Sequence, residues 1–253
     1  MPTCWPAPAS RAPLPDRVAA SAEPLTAGVI WRETLAALRP DFGLLFAVTA
    51  PFTLLVGMAL TLFGPPVPQT LEDLTPQNVA ILGLLPNIIG AIGQLAVVRL
   101  ILRPGETAGR GLGAALAALP AWSVAALATA LPVGFGFLLL IVPGVYLLAR
   151  LFLIAPVLVI EKGSAFTAIA RSWAMTADCA WQLVLLFVMA GLFILGASLL
   201  ASVVGGAIGS VLLLMGSKGA ADFAAALVPA LLSTLVAMGS AAAAAVVYRR
   251  VAG

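Results

Sequence analysis

The sequence contains no histidine. The residue that most often serves as a general base near neutral pH, and most often ligates zinc, is therefore missing. Only two cysteines occur, Cys4 and Cys179. Both fall in segments read below as cytoplasmic, where disulfides do not persist. Charge is scarce as well. Thirteen basic and ten acidic side chains amount to 9% of the 253 residues, against roughly 25% in a soluble domain, which excludes a water-soluble fold. The bases are scattered and the net charge is +3, so no basic patch for nucleic acid is expected. The dispersed acids offer no carboxylate cluster for metal-assisted hydrolysis. No Walker loop, "HExxH" or "GxSxG" is present. No cofactor, no metal site and no enzymatic activity are expected.

What fills the chain instead is apolar: 62% of residues are hydrophobic and the mean hydropathy is +1.13. Several runs exceed the ~18 residues that mark a membrane-spanning helix. A bilayer interior admits only helices or closed barrels, because every backbone hydrogen bond must be satisfied internally. Barrel strands would alternate in polarity over about ten residues. The runs here are long and rich in Leu, Ala and Gly, so the expected class is an all-α integral membrane protein.

Residues 1–26, rich in Pro and Ala and without periodicity, read as a disordered cytoplasmic tail; a secretory apolar core is lacking. A single membrane domain follows over residues 27–250. Its six spans are expected near 42–63, 79–102, 121–142, 145–160, 181–204 and 223–247, forming three hairpins. With the N-terminus inside, Arg11, Arg17, Arg32, Arg39, Arg103, Arg110, Lys162, Arg171, Arg249 and Arg250 are all cytoplasmic, with Arg99 near that interface. Lys218 alone falls in an outer loop, and the first outer loop carries Glu72 and Asp73 but no base. This bias matches the positive-inside rule and places both termini on the cytoplasmic side. Trp122, Trp181 and Tyr248 fall at inner interfaces, where aromatic belts form.

The stretch "IVPGVYLLARLFLIAPVLVIEKG" (Ile141 to Gly163) interrupts this regularity. If Pro143 and Gly144 form a hairpin turn, the preceding span is about 33 Å long and the following one about 24 Å. The rival division places the turn at "PVGFG" (Pro132–Gly136) and makes residues 137–160 one kinked helix. The Pro-Gly turn is favoured because it sets Tyr146 at the outer interface and Trp122 at the inner one.

Three cytoplasmic segments share an i, i+3, i+4, i+7 stripe: Trp31, Thr34, Leu35, Leu38; then Leu112, Ala115, Leu116, Leu119; then Phe166, Ile169, Ala170, Trp173, with Ser164 as N-cap. Each precedes an odd-numbered span. They read as short amphipathic helices lying at the interface, and the chain as three copies of interfacial helix plus hairpin.

Arg150 is the most conspicuous side chain. A mid-helix arginine costs about 2.5–3.5 kcal/mol to insert and normally faces a partner or water. Asn87 matches it in depth and shares a face with Gly83, Gly90 and Gln94. Arg150, Asn87 and Gln94 form the candidate ligand-binding set, for an anion such as a lipid phosphate. The competing reading is a structural arginine that snorkels to the interface. The lines Ala197, Ala201, Gly205, Gly209 and Ser233, Ala237, Ala241, Ala245 read as helix-packing seams, and Asp41 and Asp178 as carboxylates at helix N-termini.

The run Val142, Pro143, Gly144, Tyr146, Arg150, then Pro156, Glu161 and "AIARSW" (Ala168–Trp173) resembles the membrane domain beside some bacterial glycerophosphoryl diester phosphodiesterases, and YciC-like stand-alone membrane proteins. The resemblance implies a six-helix inner-membrane protein without the catalytic domain. The expected function is a non-enzymatic scaffold or a lipid- or partner-binding module. A small transporter with an anion site near Arg150 and Asn87 is the alternative.

Overall fold

The structure, a computed structural model, describes residues 26–66, 68, 70 and 75–252. The tail with Cys4, Arg11 and Arg17, and the loop acids Glu72 and Asp73, lie outside the described residues. Among the described residues every regular element is a helix: α1 (Ala27–Leu38), α2 (Phe42–Phe63), α3 (Pro76–Leu102), α4 (Ala108–Leu139), α5 (Ile141–Glu161), α6 (Ala165–Met175), α7 (Ala180–Leu214) and α8 (Lys218–Ala252). Six of them, all but α1 and α6, are long and apolar enough to cross a membrane. The chain is an all-α multi-pass membrane protein.

The hairpin after α4 differs from both divisions offered by the sequence. Leu140 alone joins α4 to α5, in extended conformation (φ −163°, ψ 151°). Pro143 and Gly144 stand in the first turn of α5, and Pro132–Gly136 are helical within α4. Prolines are carried inside α4 as well, so a proline does not by itself end a helix, but Pro143 suits a helix start. Its ring clashes with the carbonyl four residues earlier, here Leu139, where α4 ends, while its missing N–H is no loss in a first helical turn. The glycines let the two helices close: a Cβ on Gly144 would lie 2.5 Å from Phe137 Cγ, and one on Gly136 would lie 3.0 Å from Gly144 Cα. The third span accordingly begins at Ala108, not near residue 121, and the second interfacial segment (Leu112–Leu119) is continuous with it.

The other two interfacial segments do form separate helices, α1 and α6, capped by Thr26 and Ser164, which accept from Val29 N and Thr167 N. The stripe of α6 points away from the bundle, whereas that of α1 is divided, with Thr34 and Leu38 inward. On α6 the bundle takes Ala165, Ala168 and Ser172, while Phe166 is 69% exposed. On α1 it takes Ala27, Ile30, Thr34 and Leu38, leaving Trp31 and Leu35 outward. In lipid, small residues serve close helix approach and bulky apolar ones face the surround.

The most buried long helices are α8, α5 and α3, and α2 packs against α3 and α8. Gly93 lets α3 approach α2, since a Cβ there would lie 3.2 Å from Thr49 Cα. Thr53 on α2 donates to Thr234 on α8 at 2.9 Å. The α8 line Ala237, Ala241 and Ala245 is buried as a seam. The α7 line is not: Gly205 and Gly209 have nothing within 4 Å of an added Cβ, and with Ala201, Asp222 and Ser233 they edge a cleft of about 640 Å³ between α7 and α8.

One end of the bundle is knitted by charge. Arg250 on α8 pairs with Glu33 on α1. Tyr248 donates to Glu161 at 3.0 Å, and Glu161 also meets Arg171 of α6 at 3.5 Å. Arg99 on α3 grips Glu106 through two nitrogens at 2.8 and 2.9 Å and reaches the Val159 carbonyl at 3.4 Å. Lys218 lies at the opposite end of α8.

Candidate functional site at Arg150

α5 breaks at Phe152–Leu153 and resumes at Ile154. Pro156 suits the position, since its ring clashes with the carbonyl of Phe152, four residues earlier. At the break Phe152 N turns back to Ala149 O at 3.4 Å, and Leu153 leaves helical geometry (φ −89°, ψ 6°). The Arg150 carbonyl and the Leu153 amide then take partners from outside the helix.

Those partners come from α6. After Glu161, Lys162 adopts a left-handed conformation (φ 54°) and α6 packs back on α5. Ser172 donates to the Arg150 carbonyl at 2.8 Å and accepts from Leu153 N at 3.2 Å. Thr176, one turn on, shares its hydroxyl proton between the same carbonyl at 3.2 Å and that of Ser172 at 2.8 Å. Both hydroxyl residues are fully buried. The backbone at Arg150 is thus held from a second helix.

The Arg150 side chain is 7% exposed. Its Cζ lies 4.4 Å from the ring centroid of Trp173 and 5.9 Å from that of Tyr146, which in turn sits 6.0 Å from Trp181. Its Nε is enclosed with no hydrogen-bond acceptor. No described carboxylate lies within 4.0 Å, and no guanidinium nitrogen donates to a described protein acceptor. Contact with these partly exposed rings returns about 0.5–1 kcal/mol. A ring contact supplies no acceptor for the guanidinium N–H groups, however.

The three residues grouped from the sequence do not converge. Asn87 is exposed on α3 and donates to Gly83 O of its own helix at 2.8 Å. Gln94 is half-buried on α3, and no hydrogen bond joins either residue to Arg150. The surroundings of Arg150 are Tyr146, Ser172, Trp173 and Thr176 instead. Their signal was the i, i+4 pair Ser172 and Thr176 on the small face of α6. Cys179, close by, is free and buried; burial, and then the charge of Asp178, push its thiol up, away from the reactive thiolate. Compared with known protein families, curated proteins and solved structures, the chain matches none.

Proposed function

We propose that this protein is a non-enzymatic scaffold of a bacterial-type inner membrane, a lipid- or partner-binding module with both termini cytoplasmic. The observation that carries the reading is the orientation of α1 and α6. α6 is fastened to the bundle by Ala165, Ala168 and Ser172 and α1 by Ala27, Ile30 and Leu38, and the two helices present Phe166, Trp31 and Leu35 outward, the arrangement of helices that engage lipid at an interface. The gathering of Arg39, Arg99, Arg103, Arg110, Lys162, Arg171, Arg249 and Arg250 on the linkers and helix ends at one side supports the orientation. The resemblance of Val142–Trp173 to YciC-like and phosphodiesterase-associated membrane domains is in keeping with the same reading.

The test is mass spectrometry of lipids and proteins retained through gentle purification. A defined lipid or a stoichiometric partner is expected; retention no greater than that of an unrelated six-helix protein would sink the proposal. Orientation is tested by Lys218→Cys in a Cys4→Ala background, which should react with an impermeant maleimide on intact cells, whereas Gly105→Cys should not. A second reading, a small transporter, is favoured by the α5 break beside a buried cation, since discontinuous helices build transport sites. Uptake of labelled phosphate into proteoliposomes, above that of empty vesicles, would select it.

A further inference from the structure

We infer that Arg150 is the anchor of a binding site for a phosphate group, supplied by the headgroup of an anionic phospholipid. The inference rests on the lipid-binding reading above and adds to it the place and the chemistry. The observation is an arginine that is nine-tenths buried, has an enclosed Nε, and whose guanidinium finds no acceptor among the described residues. A buried charge without a partner is expensive, and a buried donor without an acceptor adds to that cost. The site nevertheless holds this cation in place. Its carbonyl is fixed by Ser172 and Thr176, and Trp173 and Tyr146 flank the planar group at 4.4 and 5.9 Å. The rings offer π surface and no acceptor to the guanidinium, so its N–H donors remain for a bound group. The edge of a guanidinium presents parallel N–H donors matched to two oxygens of one phosphate or carboxylate. Inside a membrane, the abundant molecule carrying such oxygens is a phospholipid. Free phosphate presents the same oxygens from the aqueous side.

The full chain, purified in a mild detergent, is titrated with dioctanoyl phosphatidylglycerol, with dioctanoylglycerol, and with inorganic phosphate, following tryptophan fluorescence. Trp173 stands beside the cation and reports its occupancy. A saturable change with the phosphatidylglycerol, not with dioctanoylglycerol, is expected, and Trp173→Phe should abolish it. Arg150→Met should weaken binding by about tenfold or more, and Arg150→Lys less, because it keeps the charge and loses the fork. A matching response to inorganic phosphate alone assigns the phosphate to a soluble source. An equal response to dioctanoylglycerol, an undiminished signal in Trp173→Phe, or unchanged affinity in a folded Arg150→Met each overturns the site. The wild-type comparison and the Trp173→Phe arm decide the matter even if Arg150→Met does not fold. Lipid or partner retention that is equal in wild type and Arg150→Met removes the site but leaves the scaffold reading standing; no retention by wild type removes the scaffold reading itself.

Discussion

Ser172 donates its hydroxyl to the carbonyl of Arg150 at 2.8 Å, and the same oxygen accepts from Leu153 N at 3.2 Å. One side chain of α6 therefore splices the two halves of α5. Ser172→Ala leaves a buried amide without a partner, and is expected to cost about 1–3 kcal/mol, read as a lowered midpoint of thermal unfolding in detergent. Arg171→Ala, one residue away and exposed, should shift the midpoint far less, because a surface pair contributes about 0–1 kcal/mol. Equal effects would deny the splice its role.

The hairpin at Leu140 makes a prediction with its own rescue. Gly144→Ala drives a methyl into the ring of Phe137, whose Cγ would be 2.5 Å away, at a cost of about 1–3 kcal/mol. Adding Phe137→Ala removes the obstructing ring. The double variant should be more stable than Gly144→Ala alone; if the second change merely adds its own penalty, the tight approach is not the cause.

Acid should loosen the charged end in a way that Glu106 governs. The hydrogen bonds from Arg99 hold its carboxyl below the ordinary value of 4.5, against the opposing effect of burial and with help from the charges of Arg99, Arg103 and Arg110. A depressed folded value means that the contribution to stability is present above the unfolded value and is lost as pH falls through the folded one. On the acid side of 4.5 the wild-type unfolding temperature should fall more steeply than that of Glu106→Gln. Parallel pH profiles would exclude this carboxylate as the source.

Thr53 and Thr234 link α2 to α8 across 181 positions of sequence. Thr53 shares its one hydroxyl proton between Thr234 and the Thr49 carbonyl, and Thr234 donates to Ala230, so neither is stranded by loss of the other. A double-mutant cycle with Thr53→Val and Thr234→Val should therefore give a coupling near 0.6 kcal/mol and no more than about 1.7 kcal/mol. A larger value would mean that the cross-helix bond outweighs the back-bonds.

Much of the architecture was legible because membrane helices must satisfy their own backbone. The span from Phe42 to Phe63 falls where its apolar run places it, and the remaining spans differ chiefly at their ends. The hairpin was displaced because Pro143 suits a helix start rather than the turn itself. α4 ends at Leu139 with Pro143 in the first turn of α5, and Pro156 follows the break at Phe152. The stripes on α1 and α6 were recognisable, but only that of α6 faces outward, while α1 buries Thr34 and Leu38 of its stripe. At the candidate site the cation could be read from the sequence and its neighbours could not. Depth along a helix suggested Asn87, whereas the fold brings in Ser172 and Thr176 from 22 and 26 positions downstream, a pairing that depends on how the chain reverses at Lys162.

The length of α7 sets a demand on the bilayer. Its 35 residues, Ala180–Leu214, include no charged side chain, and at 1.5 Å per residue they extend about 52 Å, well beyond a hydrocarbon core of ~30 Å. Such a helix leans, or the lipid around it thickens, and each adjustment costs a fraction of a kcal/mol per ångström of mismatch. Because most of α7 is exposed outside the bundle, that cost falls on the lipid annulus, and the thickness of the surrounding membrane becomes a variable to which this protein responds.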